Sequence, residues 1–164
     1  MKRLALLLLV IGCTKAMPPA EPTATTTPPP PAQTHDGPRV IFPDGFVVKV
    51  EIADDSDTRA QGLMYRDHLG PGLGMLFFFP ESGEYPFWMK NTRIPLDMIW
   101  IDADRRIAHV TSDVPPCRVA DCPSYPPNAI SRYVLEVDAG VAKQHGLKAG
   151  DPLRFEGTEN VVAR

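Results

Sequence analysis

No apolar run in the sequence approaches the roughly 20 residues that a membrane-spanning helix needs. The longest, Leu4 to Ile11, has eight. Basic charge is not in excess: 17 Lys and Arg stand against 20 Asp and Glu, a net charge of −3, which removes the electrostatic footprint of a nucleic-acid binder. Histidine is scarce, with four residues at 35, 68, 109 and 145 and no metal-ligand spacing among them. There is no Gly-x-Ser-x-Gly elbow, no His-Glu-x-x-His and no phosphate loop, so the common hydrolase and nucleotide signatures are missing. No repeat at a solenoid period is visible. The sequence implies no cofactor. Cysteine is rare and odd in number, at three. Proline, by contrast, is abundant at 19 of 164 residues, more than twice the roughly 5% base rate.

Residues 1–12 combine two cations, Lys2 and Arg3, with the short apolar run and Gly12, which is the plan of a secretory signal. Val10-Ile11-Gly12-Cys13 resembles the bacterial lipobox, in which cleavage precedes a cysteine that is then acylated. The resemblance implies a lipid-modified, palmitate-bearing Cys13 and hence a membrane partner. Two or more acyl chains give stable anchoring, at about 0.8 kcal/mol per buried methylene. Thr14 follows the cysteine, and by similarity to Gram-negative lipoproteins this implies sorting to the outer membrane, facing the periplasm. Residues 13–38 then form the anchor and a tether: positions 14 to 38 hold eight prolines and six threonines with no hydrophobic period. Such a tract extends as polyproline II and would reach roughly 50 to 75 Å.

Residues 39–164 form the expected folded domain, with 14 basic and 18 acidic residues, read as a monomer. Strand patterns dominate at Phe46 to Ile52, Met75 to Phe79, Leu96 to Ile101, Ile107 to Thr111, Tyr133 to Val137 and Leu153 to Phe155. The polar stretch Asp102 to Arg106 suits a hairpin loop. Helix is limited to Thr58 to Met64, capped from Asp54 to Asp57, and to Gly140 to His145, stopped by Gly146. The expectation is a mostly-β or α+β domain, barrel-like or sandwich, with one or two short helices.

Three further stretches carry a family resemblance: Gly62-Leu63-Met64-Tyr65-Arg66, Gly74-Met75-Leu76-Phe77, and the specific run Phe87-Trp88-Met89-Lys90-Asn91-Thr92-Arg93-Ile94-Pro95-Leu96-Asp97. Together with Pro116-Cys117, Cys122-Pro123-Ser124-Tyr125, Leu135-Glu136 and Gly150-Asp151, they resemble a prokaryotic family named only as domain of unknown function 192 (DUF192). The similarity spans Val48 to Phe155. It implies a small, often exported, β-rich domain and brings no established reaction.

Four sets of candidate residues follow. Cys117 and Cys122, in a proline-rich loop, form an even pair once Cys13 is acylated, and an oxidising compartment favours a structural disulfide; a redox-active pair and a zinc site are the alternatives. Trp88, Lys90, Asn91 and Thr92, supported by Arg66 and Asp97, make an aromatic wall with fixed polar groups, as small-ligand sites are built. The same run also reads as two strands joined by a turn, Phe87 to Met89 and Pro95 to Asp97, with Asn91 and Thr92 structural. Asp97 and Glu136 are acids within apolar strands, either exposed on alternate faces or buried and held by a salt bridge or backbone clamp with Arg66, Lys90 or Arg93; buried without a cation, such an acid has a raised pKa and is fit for general acid work. Met64, Met75, Met89 and Met98, with His68 or His109, are soft donors suited to monovalent copper, and equally suited to filling a core. The leading expectation is an envelope protein that binds a small ligand, glycan or envelope partner without catalysis. A hydrolase or lyase using Asp97 or Glu136 and a copper-binding protein are the alternatives.

Overall fold

The strands alternate between two apolar faces, and the fold separates those faces into two cores. The computed structural model describes residues 37–164. The expected signal segment, Cys13 and the expected tether as far as residue 36 lie outside the described residues. In chain order the elements are β1 (Arg39–Ile41), β2 (Val47–Ala53), α1 (Ser56–Gln61), β3 (Leu73–Gly83), β4 (Phe87–Trp88), β5 (Leu96–Ile101), β6 (Ile107–Val114), β7 (Ser124–Tyr125), β8 (Ser131–Asp138), α2 (Val141–Gln144) and β9 (Arg154–Glu156).

Seven strands form one sheet in the order β6-β5-β8-β3-β2-β1-β9. Only β2 and β3 are parallel, and the chain between them crosses over through α1, as parallel neighbours require. The edge regions around β6 and β9 meet. Ile107 N–H donates to Asp151 O at 2.9 Å, Gly150 N–H to Ile107 O at 2.7 Å and Leu153 N–H to Arg105 O at 2.8 Å. The sheet therefore curls into a half-barrel, which satisfies edge groups that would otherwise invite pairing with another chain. The mostly-β expectation, with two short helices, holds.

The concave face carries Val48, Val50, Leu76, Phe78, Ile99 and Leu135, closed by α2. The convex face carries Met75, Phe77, Met98, Trp100 and Val134. It is covered by the α1 crossover, through Leu63 and Leu69, and by the segment holding Met89 and Ile94. Strand β5 is buried at all six positions, so it reads as an unbroken apolar run interrupted only by Asp97. Gly74 is required where β3 meets its neighbours: a Cβ there would lie 2.7 Å from the carbonyl oxygen of Glu136 and 3.0 Å from Val48 Cγ1.

Two local expectations are corrected. Phe87–Trp88 does not form a hairpin with the strand after Pro95. It pairs with Ser124–Tyr125 in a separate two-stranded ribbon, because both edges of β5 are occupied, by β6 and β8. Residues 89–92 turn instead, with Thr92 N–H donating to Met89 O at 3.1 Å and Asn91 at φ 56°. Helix α1 also starts earlier and ends earlier than its pattern suggests. The Asp55 carboxylate accepts from the N–H groups of Asp57 (2.9 Å) and Thr58 (2.8 Å), and Gly62 at φ 47° stops the helix.

Candidate functional site

On the convex face, one row of side chains crosses the sheet in register: Glu51, Met75, Glu136, Met98 and Thr111. Glu136 is at its centre, 4% exposed, between two methionines. It lies at the floor of a narrow well of about 30 Å³, walled by Leu63 and Phe77 and rimmed by Phe87, Trp88, Lys90 and Thr92. Room of that size admits one water or one small polar group.

The crossover and the turn after β4 bring these residues together. Gly62 ends α1 in a backbone that L side chains rarely adopt, and a Cβ there would sit 3.4 Å from Phe77 Cζ. The chain can therefore pass close above Phe77 and leave the well open. Phe87 meets Phe77 edge to face, with ring centroids 4.9 Å apart, and meets Trp100 in the same manner at 6.0 Å. Trp88 points away from this packing and is 50% exposed. Lys90 Nζ lies 5.0 Å from the Trp88 ring centroid.

Burial alone drives the Glu136 carboxyl up to about 8. Among the described residues no cation on the well neutralises it. Arg59 donates to the carbonyl oxygens of Phe78 (3.0 Å) and Arg164 (2.7 Å), and Lys90 stands on Trp88. At neutral pH the floor of the well is thus a protonated carboxylic acid, both a donor and an acceptor. Beside the well, and sharing Arg59, Phe87 and Trp88 with it, a groove of about 250 Å³ runs past Phe79, Tyr85 and Pro86. Phe79 and Tyr85 stack with centroids 3.6 Å apart and form its base.

Asp97 is placed elsewhere. Its register partner is Val137, on the concave face, and it is fully buried. One carboxylate oxygen accepts from Asp113 N–H at 2.8 Å and Gly140 N–H at 3.1 Å, and the other accepts from Ala142 N–H at 2.7 Å. Gly140 supplies no side-chain cap to α2, so Asp97 caps that helix from across the sheet.

The structure brings Trp88, Lys90 and Thr92 together with Glu136 and leaves the other expected contacts outside the well. Asn91 forms a joint between two loops: its carbonyl accepts from Tyr65 N–H at 2.8 Å, and its Nδ2 lies 3.7 Å from Met64 Sδ. Arg66 grips both carboxylate oxygens of Glu51, with Nη2 2.7 Å from Oε2. Arg93 pairs with Asp67 at 2.9 Å. None of the three cations considered as partners for the buried acids contacts either one. Met75, Met89 and Met98 are core residues, Met64 lies at the well, His68 is exposed in the crossover, and His109 packs on Trp100 with centroids 5.7 Å apart. Cys117 and Cys122 form the expected disulfide, in the loop that leads to β7. Sequence reasoning missed Leu63, Phe77, Phe87 and the groove. The signal available was the conjunction of Gly62-Leu63 with Gly74 to Phe77, which only the parallel β2/β3 pairing brings into contact.

The fold class is a mostly-β, curled half-barrel sheet with two short helices. The chain belongs to DUF192, a family described as an uncharacterized ACR, whose model matches residues 40–155. Two solved structures are similar. One is a protein of Sinorhizobium meliloti 1021 named as a candidate transcription regulator, at 38% identity and TM-score 0.64, covering 73% of this chain and 92% of that one. The other is a protein of unknown function from Novosphingobium aromaticivorans DSM 12444, at 35% identity and TM-score 0.65, covering 71% and 82%. No curated protein matches.

Proposed function

We propose that this chain is an exported, lipid-anchored envelope protein whose half-barrel binds a small polar ligand of the glycan class at the Trp88 rim. The observation that carries this reading is an exposed tryptophan face standing over a buried acid that no group among the described residues satisfies. An aromatic plate with a few fixed polar groups suits a ligand that has one flat apolar face and several hydroxyls. Thr92, Lys90 and protonated Glu136 supply the polar side of the contact, and the groove along Tyr85 and Phe79 accommodates the ligand's body.

Calorimetric titration with monosaccharides and cell-wall fragments tests this. Trp88→Ala should leave the circular dichroism spectrum unchanged and weaken binding at least tenfold, as loss of a central aromatic contact does. Equal affinity of wild type and Trp88→Ala would refute the site. Anchoring through Cys13 is tested separately: Cys13→Ala should move the protein from the membrane to the soluble fraction. Retention in the membrane would overturn the anchor.

The raised pKa of Glu136 favours one second reading, a hydrolase or lyase with Glu136 as general acid. Against it, Glu136 is the single carboxyl lining the well among the described residues, and glycoside hydrolysis ordinarily takes two. Asp97 lies on the opposite face with its oxygens occupied by backbone donors. Turnover of a chromogenic glycoside, abolished by Glu136→Gln, would establish the enzyme instead.

A further inference from the structure

The floor of the well holds an acid without a cation, while its rim holds a cation on an aromatic face. Lys90 Nζ, 5.0 Å from the Trp88 centroid, demonstrates that this ring accepts an ammonium group. The groups around Glu136 do not provide one to the floor. From α1, Arg59 is held by two carbonyl oxygens. From β2, Glu51 is already paired with Arg66 and is separated from Glu136 by Met75. On the other side come Met98 and then Thr111, which shares a hydrogen bond with His109. Along β8 the next side chain on the same face is Asp138, itself an acid.

Resting on the small-ligand reading above, we propose that the ligand presents a compact primary ammonium group, as an amino sugar does, which enters the well and pairs with Glu136 while the ligand's body lies on Trp88. The well's volume of about 30 Å³ accepts one such group. A desolvated carboxylate gains most from a charged donor, since charge-assisted hydrogen bonds are roughly twice as strong as neutral ones. The face of Trp88 at the rim adds an environment that favours a cation over a second acid.

The proton balance of this pairing is fixed. An ammonium ligand meets a protonated Glu136 at neutral pH, the ion pair forms, and the carboxyl proton leaves to solvent. Below pH 8, affinity therefore rises about tenfold per pH unit, and close to one proton is released per ligand bound at pH 7. A hydroxyl ligand would bind the neutral acid with no proton released.

The test is isothermal titration of the full chain in detergent with 4-aminocyclohexanol, whose amine stays charged throughout, and with cyclohexane-1,4-diol and glucose as neutral probes. Titrations run at pH 6, 7 and 8 in two buffers of different ionisation enthalpy. Expected results are amine binding at least tenfold tighter than diol binding at pH 7, proton release near one, and a tenfold gain from pH 6 to 7. Glu136→Gln should remove the proton release and the pH slope; should it fold poorly, Glu136→Met, matching the flanking methionines, serves the same purpose. Neutral probes binding as tightly as the amine, without proton release but lost in Trp88→Ala, would overturn the ammonium pairing and leave the small-ligand reading standing. Amine affinity unchanged in Glu136→Gln would likewise overturn the pairing. Absence of amine binding at millimolar concentration would overturn it as well, and if no neutral probe bound either, the small-ligand reading would fall with it.

Discussion

Asp97 and Glu136 sit in neighbouring strands of one sheet, each flanked by apolar residues and each removed from water, yet they face opposite cores and have opposite circumstances. Asp97 enters the concave side and finds three backbone N–H groups converging on it, from β6 and from the first turn of α2. Glu136 enters the convex side and meets methionine, phenylalanine and the bottom of a well. Burial by itself therefore does not mark a functional acid. What separates the two is whether the fold supplies donors for the charge: where it does, the carboxylate is a structural cap, and where it does not, the carboxyl remains available to something from outside.

The largest test of the contrast falls on Asp97. Its removal orphans three buried N–H groups and uncaps α2, so Asp97→Ala should destabilise the fold by about 3 to 5 kcal/mol. Urea unfolding checks this through a lower midpoint at unchanged slope. A loss below about 1 kcal/mol would mean that α2 recruits other partners and that Asp97 is dispensable.

Glu136 should behave in the opposite sense. Its carboxyl ionises near 4.5 in an unfolded chain and at about 8 in the folded one. Between those values the unfolded state releases its proton and the folded state keeps it, so the folded state binds more protons and stability falls as pH rises. The decline begins above the unfolded value, levels off above about 8, and amounts to a few kcal/mol. Glu136→Gln cannot ionise and should lose less stability across this window, ending more stable than wild type at pH 8.5 while nearly matching it at pH 4. Denaturant midpoints of both proteins from pH 4 to 8.5 measure the difference. A parallel decline in the two proteins would show that Glu136 is not the group responsible. The disulfide comes next in size. Closing the short Cys117–Cys122 loop restricts the unfolded chain by about 2 kcal/mol. The double substitution Cys117→Ser, Cys122→Ser should cost roughly that amount and loosen β7, and with it the ribbon carrying Trp88, while the Asp97 clamp is untouched.

Much of this contrast was legible in the sequence, and its decisive part was not. The β5–β6 hairpin, β8 and β9 follow from alternating or continuous apolar runs bounded by polar turns, and the capping carboxylate of α1 follows from a cluster of aspartates. Both acids were visible as interruptions of apolar strands. Their phase was also readable, since Asp97 alternates with Ile99 and Glu136 with Val134. Which face would offer donors was not readable, because it depends on α2, whose N-cap Gly140 lies 43 positions beyond Asp97, docking against it. Strands of two or three residues, such as β4 and β7, are too short to carry a period. Their pairing is set by the disulfide loop and by both edges of β5 being occupied. The well likewise arises from a parallel crossover, which no local pattern encodes.

A third carboxylate sharpens the comparison at the low end of the energy scale. Glu51 lies on the same convex row as Glu136, beyond Met75, but at the open margin, where Arg66 reaches it with two nitrogens. The Arg66 guanidinium holds the Glu51 carboxyl below its ordinary range, so the pair contributes stability at neutral pH that is lost as pH falls through the lowered value. Its glutamate side chain is more than half exposed, however, and water and salt screen it. Arg66→Ala should therefore cost only about 0.2 to 1 kcal/mol, with much of that cost disappearing in 1 M NaCl. The salt dependence is the informative readout. An acid paired at the margin is sensitive to ions in solution, whereas the Asp97 clamp, out of water and satisfied by backbone, should lose the same few kcal/mol on substitution in 0.05 M and 1 M salt. If Arg66→Ala proved as costly as Asp97→Ala and as indifferent to salt, solvent access could not be what grades these three acids, and the unpaired state of Glu136 would no longer single it out.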